Sequence, residues 1–362
     1  MESEELEKKL EELKEEYSNT KYNKATDKHL GLLRAKIAKI NRALKSRKKK
    51  HGVGFSVKKS GDATVALVGF PNSGKSSLLK VLTGVDSKIA NYAFTTVNLI
   101  PGMLEYKGAK IQIFDIPGLI EGAHEGKGEG SKVASAIRVA DLLLIILDAT
   151  DYAKLDTLIK ELSLLGIKIG SPKLKIEEEA SGGIMIVSNG HAIPDEKEIK
   201  EVLEGFGIYN ANIVFLENST LGDIIEAASG SIYIDAIIVL NKVDLLSDYN
   251  SIARIIEEKN KIKVVPISAL NEFNLEKLKE EIFLSLKLIR VYLKPKSSED
   301  KGELMILKEG STVLDAARKI HSDIANTMKF AYITGPSAKF RNQKVGKGHV
   351  LKDGDFITIV EK

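Results

Sequence analysis

Ala63-Thr-Val-Ala-Leu-Val-Gly-Phe-Pro-Asn-Ser-Gly-Lys-Ser-Ser77 is the stretch on which the reading of this chain turns. Six β-branched or apolar residues, Ala63 to Val68, run into Gly69, and Gly74-Lys75-Ser76 opens a helical pattern that continues to Leu82. Gly-x-x-x-x-Gly-Lys-Ser between a strand and a helix is a phosphate-binding loop in the context that supports it. Its glycines let the loop curl so that successive N–H groups face an anion, and the helix start adds its own free amides and positive dipole end. The candidate phosphate site is thus Gly69, Pro71, Asn72, Ser73, Gly74, Lys75, Ser76 and Ser77, with Lys75 reaching the β- and γ-phosphates and the Ser76 hydroxyl ligating Mg²⁺. The competing reading is a glycine turn between a core strand and a core helix.

The 362 residues suffice for two or three domains. Lys and Arg number 54 against 50 Asp and Glu, a formal net charge of only +4, so any basic partner surface is local. With no cysteine, neither disulfides nor a thiolate metal site enters. No apolar run reaches the ~18–20 residues of a membrane span, and the acidic start Met1-Glu2-Ser3-Glu4-Glu5 lacks a signal core. The expectation is a cytoplasmic monomer with no membrane partner.

Working outward toward the N-terminus, Glu2 to Glu16 holds eight glutamates and three lysines, with Leu6, Leu10 and Leu13 at helical spacing. Leu33, Ile37, Ile40 and Leu44 mark a second amphipathic helix that ends in the basic run Lys45 to His51. This run either neutralises RNA phosphates or is a solvated helix end whose cations suit the dipole. The expected arm is a helical hairpin over residues 1–58.

Toward the C-terminus, Asn91 to Thr96 precedes an extended segment to Tyr106. A threonine there can close a triphosphate site, its hydroxyl on Mg²⁺ and its amide on the γ-phosphate. Thr96 is taken over Thr95 by position rather than by chemistry, and the choice stays open. Lys110 to Phe114 reads as a strand delivering Asp115-Ile116-Pro117-Gly118, where the Asp115 carboxylate holds a water on Mg²⁺ and the Gly118 amide reaches the γ-phosphate. Leu119 stands where many GTPases carry the glutamine that orients the attacking water, which predicts slow intrinsic turnover. Glu121 and His124 are candidate replacements.

The apolar runs Leu142 to Leu147 and Ala236 to Leu240 read as buried parallel strands, the second ending in Asn241-Lys242-Val243-Asp244. One carboxylate, Asp244, can accept from both guanine N1–H and its exocyclic amine, a donor pair that adenine lacks. Asn241 is expected to tie this segment to the phosphate loop, and the Lys242 stem to lie along the base. After the strand Lys263 to Ile267 comes Ser268-Ala269-Leu270, with the Ala269 amide expected on guanine O6. Five motifs in this order at strand ends predict a GTP/GDP-binding domain over residues 59–292. A nucleoside kinase with the same loop fits poorly, because it needs no guanine motif and an acceptor site is lacking.

Residues 168–232 exceed what a minimal nucleotide domain needs and read as an inserted α+β unit without a catalytic constellation, a binding platform in which His191 stands alone. Tyr292 to Lys301 reads as a linker. A strand at Glu303 to Leu307, a helix at Thr312 to His321 and strands at Phe330 to Ile333 and Phe356 to Val360 fit a ubiquitin-like sheet over residues 300–362. Lys339, Arg341, Lys344, Lys347 and His349 gather positive charge there, for RNA or as an ordinary lysine-rich loop.

Taken together, Gly69 to Ser76, Tyr92 to Thr96, Ile100 to Gly102, Glu105 to Ala109, Asp115 to Ala123 and Gln343 to Gly346 closely resemble the developmentally regulated GTP-binding protein (DRG) family of the Obg-type GTPases. The resemblance spans nearly the full length and implies an archaeal member, since members of the family without a eukaryotic-type regulatory partner are seen in archaea. A composition rich in Lys, Glu and Ile without Cys or Trp, which suits a heat-adapted organism, does not contradict this. It implies an α/β architecture: a P-loop GTPase domain with an inserted small α+β domain, an N-terminal helical hairpin and a C-terminal TGS β-grasp domain. It further implies GTP hydrolysis without the usual glutamine and a K⁺ ion held by Asn72 beside the phosphates in place of an arginine finger. Ribosomes and/or RNA, and a regulatory protein, are the partners it implies. On these grounds Lys75, Thr96, Gly118 and Asn72 are the candidate catalytic residues. The alternative function is a ribosome- or RNA-binding scaffold whose nucleotide pocket is regulatory, with negligible turnover.

Overall fold

A computed structural model describes residues 60–84, 100–116, 129–294 and 302–361, together with the single positions 8, 12, 13, 16, 33, 37 and 40. Thr95, Thr96, Gly118, Leu119, Glu121 and His124, and the basic run of the N-terminal arm, lie outside them. The chain divides into two compact units, one of Met1–Phe55 with Ile159–Ile234, the other of Ser56–Leu158 with Asp235–Lys362.

The second unit holds the phosphate loop. Strand β1 (Ala63–Val68) is buried at every residue, as its β-branched and apolar composition demands. It leads through the loop to helix α1 (Lys75–Thr83), which buries Leu78, Leu79 and Leu82. Strand β2 (Ile100–Tyr106) pairs antiparallel with β3 (Ala109–Asp115). Helix α2 (Glu129–Ile137) precedes β4 (Leu142–Asp148), and helix α3 (Leu155–Leu164) follows it.

The first unit carries β5 (Ile167–Ile169), β6 (Leu174–Glu178), β7 (Ile184–Val187), α4 (Glu196–Gly205), β8 (Ala211–Phe215), α5 (Leu221–Ala228) and β9 (Ile232–Ile234). β5 pairs with β9, while β6, β8 and β7 form a three-stranded sheet in that order. One side of that sheet and the two helices enclose Leu203, Phe206, Ile213, Phe215 and Ile224. Helix α5 is fixed by a Thr220–Asp223 capping box. Leu13, Leu33, Ile37 and Ile40 of the N-terminal arm are helical, with Leu33 and Ile40 buried. His191 is half-buried in a turn.

The second unit resumes with β10 (Ala236–Asn241), α6 (Tyr249–Asn260), β11 (Val264–Pro266) and α7 (Leu275–Ser285). Its sheet runs β11-β10-β4-β1-β3-β2, parallel throughout except for β2. Strand order reverses at β1, so the crevice between β1 and its neighbours opens at their carboxyl ends, where open α/β sheets bind ligands.

A second sheet starts earlier than expected. β12 (Leu288–Leu293) pairs antiparallel with β13 (Glu303–Lys308) and parallel with β16 (Asp355–Glu361). Tyr292, read as the end of the nucleotide domain and the start of a linker, therefore lies in an interior strand of the next domain. Alternation along Leu288-Ile-Arg-Val-Tyr-Leu293 explains this, since Ile289 and Val291 face the β-grasp core while Leu288 reaches the nucleotide-domain core. With β14 (Met328–Thr334) and β15 (Gln343–Val345) the order is β13-β12-β16-β14-β15, and helix α8 (Val313–Ile320) buries Val313, Ala316 and Ala317 against it. The two sheets share a boundary: Ile306 of β13 packs in the nucleotide-domain core with Ile282 and Phe283 of α7. Among the described residues no helix is long and apolar enough to cross a membrane.

Candidate functional site: a phosphate loop and a base-reading edge

The phosphate loop is shaped by what can fit. Gly74 has φ +95°, and a Cβ there would sit 2.2 Å from Asn241 Nδ2. At Gly69 the obstacle is close approach, because a Cβ would lie 2.5 Å from the Ile146 carbonyl oxygen of β4. Gly74 also serves as the N-cap of α1 without a side-chain cap, so the first-turn amides of that helix are left for an anion. Asn72 and Pro71 are exposed on the loop, Asn72 in the left-handed region at φ +64°. Ser76 and Ser77 are exposed at the start of α1.

Lys75 does not extend outward. Its Nζ donates to the Gly69 and Phe70 carbonyls at 2.9 and 3.0 Å, closing the loop on itself. Burial holds its ammonium below the ordinary lysine range, against the opposing pull of Asp115. Asp115 sits at the end of β3, beside Leu67 in register, and accepts from the Ser76 hydroxyl at 3.0 Å. Burial raises its carboxyl, with Lys75 and the Ser76 bond pulling the other way. Its second oxygen, Oδ1, and Ser73 Oγ are buried without a hydrogen-bond partner among the described residues. Such orphaned atoms are rare in folded proteins, and these two flank the loop where an ion and its oxygens would sit.

The second half of the site is the carboxyl end of β10. Asn241 is 2% exposed; its Nδ2 donates to the Ser73 carbonyl at 2.9 Å, and its Oδ1 accepts from the Ala269 amide at 3.0 Å. One side chain thus bridges the phosphate loop and the Ser268-Ala269-Leu270 segment. The Ala269 amide, expected on guanine O6, is taken up by Asn241 instead, because a buried N–H needs a partner within the protein. Lys242 has φ +64°, and its Nζ pairs with Asp148 Oδ2 at 2.6 Å. Asp148, at the end of β4 and level with Asn241, did not stand out in the sequence: a carboxylate closing an apolar strand was legible there, but its place beside the base motif comes only from the pairing of β4 with β10. Burial works against its charge, but bonds from Lys242 and Thr150 hold it below the usual carboxylate range. Asp244 is exposed on the 3₁₀ turn Val243–Leu245, Ser268 is buried, and Leu270 is 85% exposed.

A curled loop with free amides at a helix start, a carboxylate at the end of the adjoining strand and an Asn-Lys-x-Asp edge on the same sheet define a P-loop GTP-binding domain, here joined to a β-grasp domain. Residues 64–174 match a family model described as 50S ribosome-binding GTPase, residues 181–288 the C-terminal region of that domain, and residues 289–361 the TGS domain. A GTP-binding protein of Methanocaldococcus jannaschii is 42% identical, over 99% of this chain and 93% of its own. Developmentally-regulated GTP-binding protein 1 of Xenopus laevis is 40% identical over 98% of each chain. Among solved structures, the Schizosaccharomyces pombe YchF GTPase aligns at 15% identity and a TM-score of 0.49, over 85% of this chain and all of that one. The chain belongs to the developmentally regulated GTP-binding protein family, whose homologues occur in archaea and eukaryotes.

Proposed function

We propose that this chain hydrolyses GTP to GDP and phosphate with Mg²⁺ and K⁺, slowly by itself, as a switch acting on ribosomes or RNA. The observation that carries the reading is the pair of buried oxygens at the loop, Asp115 Oδ1 and Ser73 Oγ, which have no hydrogen-bond partner among the described residues, beside a half-buried Lys75 ammonium that burial lowers and an Asp115 carboxyl that burial raises. A dication beside Asp115 would give its Oδ1 a partner, and a polyanion in the loop would accept from the Ser73 hydroxyl and draw on the Lys75 charge. Mg²⁺, when bound, would neutralise charge on the β- and γ-phosphate oxygens.

Lys75 would leave the Gly69 and Phe70 carbonyls for the phosphates, and the first-turn amides of α1 would receive the oxygens. Ser76 and Thr96 would hold Mg²⁺ directly and Asp115 through water. Asn72, already exposed on the loop, would hold K⁺, and the Gly118 amide would meet the γ-phosphate. Asp244 would read the guanine edge, with the Lys242 stem steadied by Asp148. Leu119 cannot orient water, so turnover rests on the cations and on positioning.

The family description supports a ribosomal setting. Multiple-turnover phosphate release, with and without ribosomes, tests the whole reading. Lys75→Ala should abolish it, and Na⁺ in place of K⁺ should slow it. A Lys75→Ala chain releasing phosphate at the parent's rate refutes the mechanism, and equal rates in the two salts remove the role given to Asn72. No release in any condition leaves the scaffold reading.

A further inference from the structure

The basic residues near the C-terminus do not form one patch. Lys347 turns inward to donate to the Ala325 carbonyl at 3.3 Å, and His349 bonds the Ser337 hydroxyl at 2.9 Å. Lys339, Arg341 and Lys344 remain exposed. They surround aromatic rings. The β14–β15 hairpin carries Lys339-Phe340-Arg341 at its tip, with Phe340 65% exposed. The tip is held rather than loose: Thr334 Oγ1 meets Asn342 Oδ1 at 3.0 Å, and the Lys339 amide donates to Gln343 at 2.6 Å.

On the strands behind it, Tyr332 is 37% exposed and lies directly across from Lys344. Phe330 meets Tyr332 edge-on at 5.3 Å, and the Lys344 ammonium stands 4.0 Å from the Phe330 centroid. Further along the same face, Phe356 stacks on Tyr292 at 4.8 Å with Lys294 over its ring, again 4.8 Å away. By the alternation of the pleat, this face carries rings, Thr358, Val360 and lysine over β14, β15 and β16, without a carboxylate among these positions, while its β13 edge, through Ile306, packs on the nucleotide domain.

We propose that this outer β-grasp face is a platform for unpaired RNA bases, with Tyr332 and Phe340 each receiving a base and Lys339, Arg341 and Lys344 the neighbouring phosphates. Exposed rings on a sheet accept bases because every base has a π-face, and adjacent cations then track the backbone. Side chains directly opposite on paired strands stand about 5 Å apart, so a base on Tyr332 brings its phosphate within reach of Lys344. A protein partner fits less well, since lysine is depleted at protein interfaces. A duplex fits less well too, because its bases already stack on each other. The inference rests on the reading that this chain acts on RNA and assigns the surface that would do so.

Fluorescence anisotropy of a labelled oligouridine of about 12 nucleotides, a length within known site sizes, with the full chain and no added nucleotide, tests it. Tyr332→Leu and Phe340→Leu should each weaken binding about tenfold without changing the salt slope. Lys339→Gln and Arg341→Gln should each lower that slope by about one. Tyr332→Phe should bind as the parent does, and a duplex of equal length should bind more weakly. Guanine-nucleotide affinity, measured on the same variants, should stay at the parent's value and so reports that they fold. If the parent retains no oligouridine, the RNA reading falls and the platform with it. If the parent binds and the folded ring variants bind equally well, the platform alone is refuted. Variants that lose a co-purifying protein while keeping RNA would assign the face to a protein and overturn the proposal.

Discussion

Asn241→Ala probes the point where the two halves of the nucleotide site are joined. The substitution removes the donor to the Ser73 carbonyl and the acceptor for the Ala269 amide at once. Ser73 is 3% exposed and Ala269 5%, so water does not readily replace either bond. A buried polar group left unsatisfied costs about 1–3 kcal/mol, so two lost bonds predict about 2–6 kcal/mol, with a small cavity adding to it. Asn241→Asp keeps the acceptor but aims a buried carboxylate at the Ser73 carbonyl, and should lose nearly as much. Urea-dependent hydrogen exchange of peptides spanning 63–83 and 236–270 reads the effect locally, which avoids assuming that a chain of several domains unfolds in one step. With a slope of about 3 kcal/mol per molar urea, a loss of ~4 kcal/mol moves the midpoint down by more than ~1 M. A shift worth less than ~0.5 kcal/mol would show that the bridge does not hold the loop.

The remaining expectations concern the loop, the base and the domain boundary. Gly74→Ala places a methyl 2.2 Å from Asn241 Nδ2 in a left-handed conformation that costs about 1–2 kcal/mol by itself, so GTP affinity by calorimetry should fall at least about tenfold; unchanged affinity would contradict the geometry. Asp244→Asn should exchange guanine for xanthine preference with a GTP loss of about a hundredfold or more, and an unaltered preference would remove Asp244 from the base site. Asp141 accepts from the Thr64 amide and hydroxyl at 2.9 and 2.7 Å and from Lys308 at 2.8 Å. Burial alone would raise its carboxyl, but these bonds bring it down to about 2. A depressed carboxyl stabilises the fold above its unfolded value, near 3.8, and the contribution, on the order of 2 kcal/mol before the exposure of Lys308 is discounted, fades as pH falls toward 2. Asp141→Asn should therefore be less stable at neutral pH and lose less on acidification between pH 4 and 2; parallel acid-unfolding curves would refute the link.

How much of this could be read in the sequence depends on chain distance. Val65 to Val68, Leu142 to Leu147 and Ala236 to Leu240 announce buried parallel strands through composition alone, and the motifs that follow the first and the last fall at the carboxyl ends of β1 and β10. Local spacing encodes such features, because the residues that form them are neighbours. The fate of the Ala269 amide is different: its acceptor is 28 residues away and competes with any ligand for the same proton. Thr64, Asp141 and Lys308 meet across separations of 77 and 167 residues, and nothing in their local sequence hints at it. The place of β12 was hidden for a related reason. Leu288 to Leu293 makes a good strand anywhere, and only its pairing with Glu303 to Lys308 and with Asp355 to Ile357 decides which sheet owns it.

The shared boundary between the sheets has a practical side. Ile306 is 4% exposed because it fills a space among nucleotide-domain side chains, and Leu304 leans on Gly108 in the turn between β2 and β3. Stopping the chain ahead of Gly302 would peel that seam, baring Leu288 and a strip of aliphatic surface to solvent. A clipped protein that no longer sediments with ribosomes would then testify to a damaged nucleotide domain as much as to a missing appendage. Single changes on β14 and β15, at the opposite edge of the sheet from β13, leave the seam shut, and only they can ask what the appendage touches.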